Sequence, residues 1–222
     1  EEGSEVPRLY PVYFLYTAAL DDGARSPSNL PALWAGWGEE SVAVLRETAD
    51  GNTGLFLAAK GGRAADNHGN MDAGSFVFEL DGVRWSVDPG NQSYHPLEQL
   101  MGQALWEVDQ DSRRWSLLTK NNLGHSTLTL NGQPHLVEGR ATLVEIWDRN
   151  GPAGVTFDLT PVYGTLAEQV ERNFIRLSDH LLLIRDEVLF SPETQQITWQ
   201  MITTAEVMIR NNTVYLREDG KQ

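Results

Sequence analysis

The segment Asp66–Phe76 carries the densest group of side chains that could do chemistry. If the segment is extended, the two-residue period of a strand places His68, Asn70 and Asp72 on one face, with successive Cβ atoms roughly 6–7 Å apart. An imidazole, an amide and a carboxylate presented together could hold a metal ion or a sugar. The alternative is a plain loop, because Asn, Asp and Gly are the residues that loops favour. Spacing alone leaves both interpretations open.

Asp88 can be grouped with this segment through a β-hairpin. The pair Asp81-Gly82 stands between two apolar runs and is a strong signal for a two-residue hairpin turn. Counting outward along the two strands brings Asp88 close to Ser75 and within reach of the segment that carries His68. Without that proximity, Asp88 would be an ordinary residue of a Pro-Gly turn.

The five histidines can each be assessed. His125 is expected to open a strand over residues 125–130, and a histidine at the rim of a sheet is well placed to be a ligand. Without a partner it would be a partly exposed histidine at the end of a strand. His95, His135 and His180 stand beside proline or at turns, so we predict that they are ordinary surface residues.

Composition removes several classes of protein. The chain has 222 residues and no cysteine, which rules out disulfides, Cys-ligated zinc and thiol nucleophiles. No G-x-S-x-G, glycine-rich phosphate loop or H-E-x-x-H motif occurs. Lys and Arg number 17 against 31 Asp and Glu, a formal charge of −14. Such acidity opposes binding to nucleic acid or to an anionic membrane surface, since both depend on positive charge.

The elements that must position these side chains are β-strands. Short apolar or alternating runs are separated by turn pairs such as Asn131-Gly132 and Asn150-Gly151. This even spacing predicts an all-β fold, a multi-stranded antiparallel β-sandwich of two sheets over residues 36–222. One helical stretch is expected, over Leu97–Val108. Residues 1–35 are predicted to be a linker or the tail of a preceding domain, with a short helix over Pro11–Leu20.

Several motifs in order resemble a known family. They are Trp37–Arg46, Leu55–Gly62, His68–Phe76, Gly82–Gly90 with Tyr94, Arg114-Trp115, and Gly124–Leu128. Together they are similar to the C-terminal half of the heparinase II/III-like polysaccharide lyases. The match is close over roughly Trp34–Thr142, and the later strands agree only in character. As an ordered set, the motifs are much more specific than any one of them.

The resemblance implies a fold, a reaction and a set of site residues. Such enzymes join an N-terminal α/α toroid to a β-sandwich and cleave uronic-acid-containing polysaccharides, such as glycosaminoglycans or alginate, by β-elimination. His68 matches a histidine that faces substrate and is expected to be catalytic. Tyr94 is expected to line the substrate cleft. Arg114 is expected to pair with a carboxylate, either of the substrate or, as the favoured case, in a structural ion pair.

The resemblance also implies a divalent metal ion with a structural role. Asn70, Asp88 and His125 match the three positions that bind metal in the family, but Asn70 stands where a histidine ligand is common. An Asn–Asp–His set is expected to bind zinc less tightly than a His–Asp–His set, and it could also bind calcium. Zinc stays the first choice.

The expected partners are an anionic uronate polysaccharide and the toroid of the same polypeptide. The isolated domain is therefore expected to be inactive or nearly so, and the location periplasmic or secreted. The alternative from another class is a non-catalytic carbohydrate-binding or architectural β-sandwich. The strong negative charge predicts that most basic residues that grip the sugar lie on the toroid.

Overall fold

A computed structural model describes residues 31–46, 54–90, 92–148, 152–218 and 220–221. They belong to a unit that spans Pro31–Gln222. The helix expected over Pro11–Leu20 and the turn expected at Asn150-Gly151 lie outside the described residues. The first strand begins at Leu33, so the sheet already includes residues that the sequence assigned to the tail.

The first sheet is a five-stranded antiparallel meander in chain order. Side chains of its second and third strands alternate between buried and half-buried, as expected for a sheet with one face on the core. Asp81 and Gly82 both have positive φ, 52° and 76°, which is the backbone of the predicted hairpin turn. The strands are β1 (Leu33–Gly36), β2 (Val42–Arg46), β3 (Leu55–Lys60), β4 (Phe76–Leu80) and β5 (Val83–Ser86).

The second sheet has four antiparallel strands, in the spatial order β10-β9-β8-β7. Two smaller two-stranded sheets, β6 with β11 and β12 with β13, complete the described strands. The bounds are β6 (Leu128–Leu130), β7 (Thr142–Trp147), β8 (Ala153–Asp158), β9 (Ala167–Ser178), β10 (Leu181–Phe190), β11 (Ile197–Trp199), β12 (Glu206–Arg210) and β13 (Thr213–Arg217).

The main hydrophobic core draws on both large sheets. Leu45 and Leu57 of the first sheet are fully buried in one cluster with Phe157 and Phe174 of the second. Phe76 meets Phe174 edge-to-face, with ring centroids 5.6 Å apart. The predicted antiparallel β-sandwich is therefore confirmed.

The connection between β5 and β6 holds the α-helix of the described chain. Helix α1 spans Tyr94–Met101, and a 3-10 turn continues it over Gly102–Leu105. The sequence placed this helix three residues later, because the apolar pattern starts inside it. Residues 125–127 precede β6 and follow a 3-10 turn, so the strand expected to open at His125 starts only at Leu128.

The prediction that His135 is an ordinary surface residue is wrong. Its side chain is only 2% exposed. The Nε2 atom lies 2.9 Å from the Leu128 carbonyl oxygen, and the ring meets Tyr163 edge-to-face. Local turn signals around the residue carry no information about this burial. Burial lowers the pKa of His135 from 6.5 to about 4, although the hydrogen bond to Leu128 acts the other way.

Stability is therefore expected to fall in acid partly through His135. Below pH 6.5 the unfolded chain binds a proton that the folded chain does not bind until about pH 4. The free energy of unfolding should drop by about 3 kcal/mol from this group as the pH falls through that window. Urea unfolding at pH 7 and near pH 4.5 measures the drop. His135→Gln should show a smaller difference between the two pH values; equal differences would contradict the assignment.

Candidate functional site

The loop between β3 and β4 carries His68 in a compact turn. The backbone of His68 is left-handed, with φ 62°, and Gly69 donates from its N–H to the Asp66 carbonyl. A Cβ at Gly69 would lie 2.5 Å from the carbonyl oxygen of Ala64, so only glycine fits. The loop interpretation of this segment is correct, and the strand-like alternative that put His68, Asn70 and Asp72 on one face is wrong.

Charged side chains hold the base of this loop. Asp66 lies 2.7 Å from Arg63 and 2.9 Å from Arg140. Burial opposes ionisation of Asp66, but hydrogen bonds from these two guanidinium groups outweigh it and lower its pKa to about 2. The carboxylate is therefore charged whenever the protein is folded at neutral pH.

Asp72, the third residue of the group predicted with His68 and Asn70, forms an ion pair with Lys60. Its carboxylate lies 2.8 Å from the ammonium of Lys60, which also contacts Glu40 at 3.3 Å. Burial favours the neutral amine of Lys60, but the Asp72 charge overcomes this and raises the Lys60 pKa. Asp72 thus has a structural partner of its own.

His68 forms a hydrogen bond with Tyr94 at the start of α1. The Nδ1 atom lies 2.8 Å from the tyrosine hydroxyl, and the imidazole is exposed. A histidine and a tyrosine at this distance can relay a proton, and the bond fixes the orientation of the ring. The predicted catalytic residue and the predicted cleft residue are therefore neighbours.

Two further side chains contact the Tyr94 ring. Trp106 stacks on it, with centroids 5.2 Å apart and an interplanar angle of 26°, and is itself 46% exposed. The ammonium of Lys120 lies 5.8 Å from the ring centroid. Sequence analysis missed both residues, because no local pattern indicates which aromatic or basic side chain will reach a given ring.

Arg114 is a buried cation that contacts the loop carrying His68. It is only 3% exposed, and its guanidinium donates to the carbonyl oxygens of Leu105 and Gly69, both at 2.6 Å. Across the described parts of the chain, no carboxylate lies within ion-pair distance of it, so the favoured structural ion pair is not found. Burial lowers its pKa. Arg114 connects the turn after α1 to the residue that follows His68, and its substrate-binding role stays a prediction.

His68, Trp106 and Arg114 line an open cavity of about 330 Å³. A cavity of this size could hold one sugar ring. The lining combines an exposed histidine, an aromatic ring and a cation. It consists of Ala65, Asp66, Asn67, His68, Trp106, Val108 and Arg114.

Asp88 and His125 form the second predicted group. The carboxylate oxygen Oδ2 of Asp88 lies 2.8 Å from Nδ1 of His125, and Oδ1 accepts from the N–H of Gly90. His125 is completely buried. Asp88 also lines a cavity of about 310 Å³ together with Asp72 and Ser75, so the proximity inferred from the hairpin is confirmed. The sequence left His125 as a ligand candidate only if it had a partner, and Asp88 is that partner.

Among the described residues, one buried atom of each of two predicted ligands lacks a hydrogen-bond partner. They are Oδ1 of Asn70 and Nε2 of His125. Buried polar atoms are usually paired, and these are the two electron-pair donors that a cation at the predicted site would use. Asp88 contacts His125 through the other ring nitrogen, Nδ1. Within the described ranges, no three His, Cys, Asp or Glu side chains form a cluster that could hold a metal ion.

Comparison with known proteins identifies relatives of this domain. The family model for the heparinase II/III-like C-terminal domain matches residues 42–222. A search of curated proteins gave no match.

Solved structures share the fold. Heparan sulfate lyase HepC from Pedobacter heparinus is 18% identical, with a TM-score of 0.64 over 96% of this chain and 31% of that one. A heparinase III structure is 16% identical, with a TM-score of 0.59 over 88% of this chain and 28% of that one. The chain therefore spans less than a third of the length of these lyases. At such identities the likeness establishes the fold alone.

A search of the described residues finds no helix with the length and hydrophobicity needed to cross a membrane. The periplasmic or secreted location stays a prediction.

Proposed function

The chain belongs to the family of heparinase II/III-like C-terminal domains, and from this premise we propose that it is the β-sandwich part of a lyase that cleaves uronic-acid-containing polysaccharide by β-elimination. One observation supports this most strongly. The exposed imidazole of His68 is hydrogen-bonded to Tyr94 at the mouth of a cavity of sugar size.

The reaction needs two proton movements that this pair can serve. A base removes the proton on C5 of the uronate, the bond between C4 and the glycosidic oxygen breaks, and a C4–C5 double bond forms. The departing oxygen then takes up a proton. With Nδ1 of His68 bonded to Tyr94, Nε2 is the ring atom left to exchange a proton with substrate. Tyr94 holds the ring in position for that exchange.

We place the remaining half of the active site on an α/α toroid of the same polypeptide. The small share of the HepC and heparinase III chains that this domain covers supports the idea. The described cavity is open and is lined by the imidazole that pairs with Tyr94, which suits a face that another domain closes. The domain alone should then bind substrate weakly and turn it over little.

The experiment that tests the function is a lyase assay on the full-length protein. Heparan sulfate, other glycosaminoglycans and alginate are supplied separately, and the ultraviolet absorbance of the unsaturated uronate is followed. Absorbance that rises with at least one polymer supports the proposal. Saturable binding without any unsaturated product would contradict it and favour the carbohydrate-binding alternative.

We also propose a structural divalent ion held by Asn70, Asp88 and His125, with zinc favoured over calcium. The unpartnered Asn70 Oδ1 and His125 Nε2 support it. The ion would neutralise Asp88 and connect the His68 loop to the segment before β6. Nδ1 of His125 is hydrogen-bonded to Asp88, which leaves Nε2 as the ring nitrogen that would bind the ion.

Removal of this ion is expected to lower the melting temperature. At a zinc concentration of 100 times Kd, binding stabilises a fold by about 2.7 kcal/mol, which corresponds to a shift of roughly 5–10 °C for a chain of this size. Thermal melts with EDTA and with added zinc or calcium measure the shift, and elemental analysis identifies the ion. Asn70→Ala is the matched variant and should respond much less to EDTA. A wild type that holds no metal and does not respond to zinc or calcium would contradict the site.

A further inference from the structure

Lys120 is a buried cation that pairs with no carboxylate among the described residues. It is only 4% exposed, and in the described parts of the chain no carboxylate lies within ion-pair distance of its ammonium. Lysine is almost never buried unless it is paired, because the charge loses its hydration. The ammonium instead lies 5.8 Å from the centre of the Tyr94 ring. This contact with the π-face compensates only in part.

The surroundings of Lys120 add positive charge rather than remove it. Burial lowers the pKa of Lys120, and the charge of Arg114 lowers it further. Asp72 acts in the opposite direction, but its carboxylate is bound by Lys60. Arg114 is also buried, and its Nε has no hydrogen-bond partner among the described residues. Two cations without a carboxylate partner in the described part of the chain therefore influence one another, although the formal charge of the chain is −14.

Lys120 is tied to the proposed catalytic pair through its backbone and its side chain. The Lys120 carbonyl accepts from the N–H of Met71, three residues after His68. Its ammonium lies near the ring of Tyr94. The hydroxyl of this tyrosine is 2.8 Å from Nδ1 of His68. Arg114 reaches the same loop at the carbonyl of Gly69. An anion bound by these cations would therefore lie next to the imidazole.

We propose that Lys120, with Arg114, forms an anion subsite that binds the carboxylate or sulfate group of an acidic sugar beside His68 and Tyr94. The assignment of this subsite to catalysis rests on the proposed lyase function. A bound uronate carboxylate would neutralise the ammonium, and the ammonium would stabilise the negative charge that develops when the C5 proton leaves. The ligand would thus provide the partner that the protein does not.

Binding of paired probes to the full-length protein tests the subsite. Glucuronate and glucose differ in a carboxylate and a hydroxymethyl group, and inorganic sulfate represents the sulfate ester. Calorimetric titration of the wild type should detect glucuronate or sulfate more strongly than glucose. Lys120→Met should weaken the preferred anion by roughly 10–100-fold, the range for a lost charge-assisted hydrogen bond. Lys120→Arg should retain most of the affinity, and the exposed neighbour Arg113→Met is the charge-matched control.

Each outcome decides the proposal. A loss for glucuronate supports a carboxylate subsite, and a loss confined to sulfate supports a sulfate subsite. Unchanged affinity for both in folded Lys120→Met overturns it, as does an equal loss in Arg113→Met. If Lys120→Met does not fold, thermal melts of the wild type and of Lys120→Arg replace it. The proposal is then overturned if glucuronate and sulfate raise the melting temperature no more than glucose and chloride do.

The lyase proposal and the subsite proposal can fail separately. Binding through Lys120 without turnover contradicts the lyase proposal alone, and turnover with unchanged KM in Lys120→Met contradicts the subsite alone.

Discussion

Replacement of His68 by Asn in the full-length protein is expected to lower kcat/KM on uronate polysaccharide by about 10²–10⁴-fold, the range for loss of a general acid or base. The melting temperature should stay close to that of the wild type. The imidazole is exposed and makes a single hydrogen bond, to Tyr94, so its removal leaves no buried group unpaired.

Asparagine suits this test because of the backbone. His68 has φ 62°, a conformation that asparagine adopts more readily than alanine does. The variant therefore removes the imidazole without adding strain to the loop. Lyase rates and thermal melts of the same preparation separate the two effects.

His180→Asn provides the matched control for this substitution. The His180 side chain is 68% exposed and stands in a turn between β9 and β10. It should keep full activity. If His68→Asn keeps activity within a few-fold of the wild type, the catalytic assignment is wrong. If it lowers only the melting temperature, His68 is a structural residue.

Arg172→Met is expected to lower the free energy of unfolding by about 3–5 kcal/mol, the range for breaking a buried ion pair. Arg172 is completely buried on β9 and contacts both oxygens of Asp186 on β10, at 2.6 and 3.0 Å. It also donates to the carbonyl oxygens of Gly74 and Ser126. The substitution leaves one charge and two carbonyl groups without partners.

This arginine connects the second sheet to the candidate site. Gly74 ends the loop that carries His68, and Ser126 follows His125. The Arg172 variant should therefore also disturb the metal response proposed for His125. Urea unfolding measures the stability, and a melting temperature lower by roughly 6–20 °C should accompany it.

Arg185→Met is the matched control on the neighbouring strand. Its side chain is 56% exposed and pairs with Glu187 on the surface, so the expected loss is about 0–1 kcal/mol. The double variant Arg172→Met with Asp186→Leu should be less destabilised than Arg172→Met, because no buried carboxylate is left alone. A loss below about 1 kcal/mol in Arg172→Met would contradict the role of this pair.

The negative charge of the chain led to the prediction that the sugar-gripping cations lie on the toroid. The proposed subsite at Lys120 and Arg114 changes this picture. Net charge describes the long-range field, whereas a buried cation acts at contact distance, where few water molecules screen it. An acidic domain can therefore contribute local positive charge to an anionic substrate.

The amino-acid sequence by itself determined the class of fold and indicated which side chains belong in the candidate site. Alternating apolar residues determine strands, and Asp81-Gly82 determines a hairpin, because both act through the conformations of adjacent residues. The hairpin count brought Asp88 near Ser75, and the ordered motifs led to the predictions for His68, Tyr94 and His125.

Only the tertiary structure decided which distant side chains meet. It buried His135, directed Asp72 to Lys60, and brought Trp106 and Lys120 to the ring of Tyr94. Lys120 lies 26 positions from Tyr94 along the chain, and Arg172 lies 98 from the Gly74 carbonyl that it binds. Such contacts depend on how sheets and loops pack, and local backbone preference does not encode them.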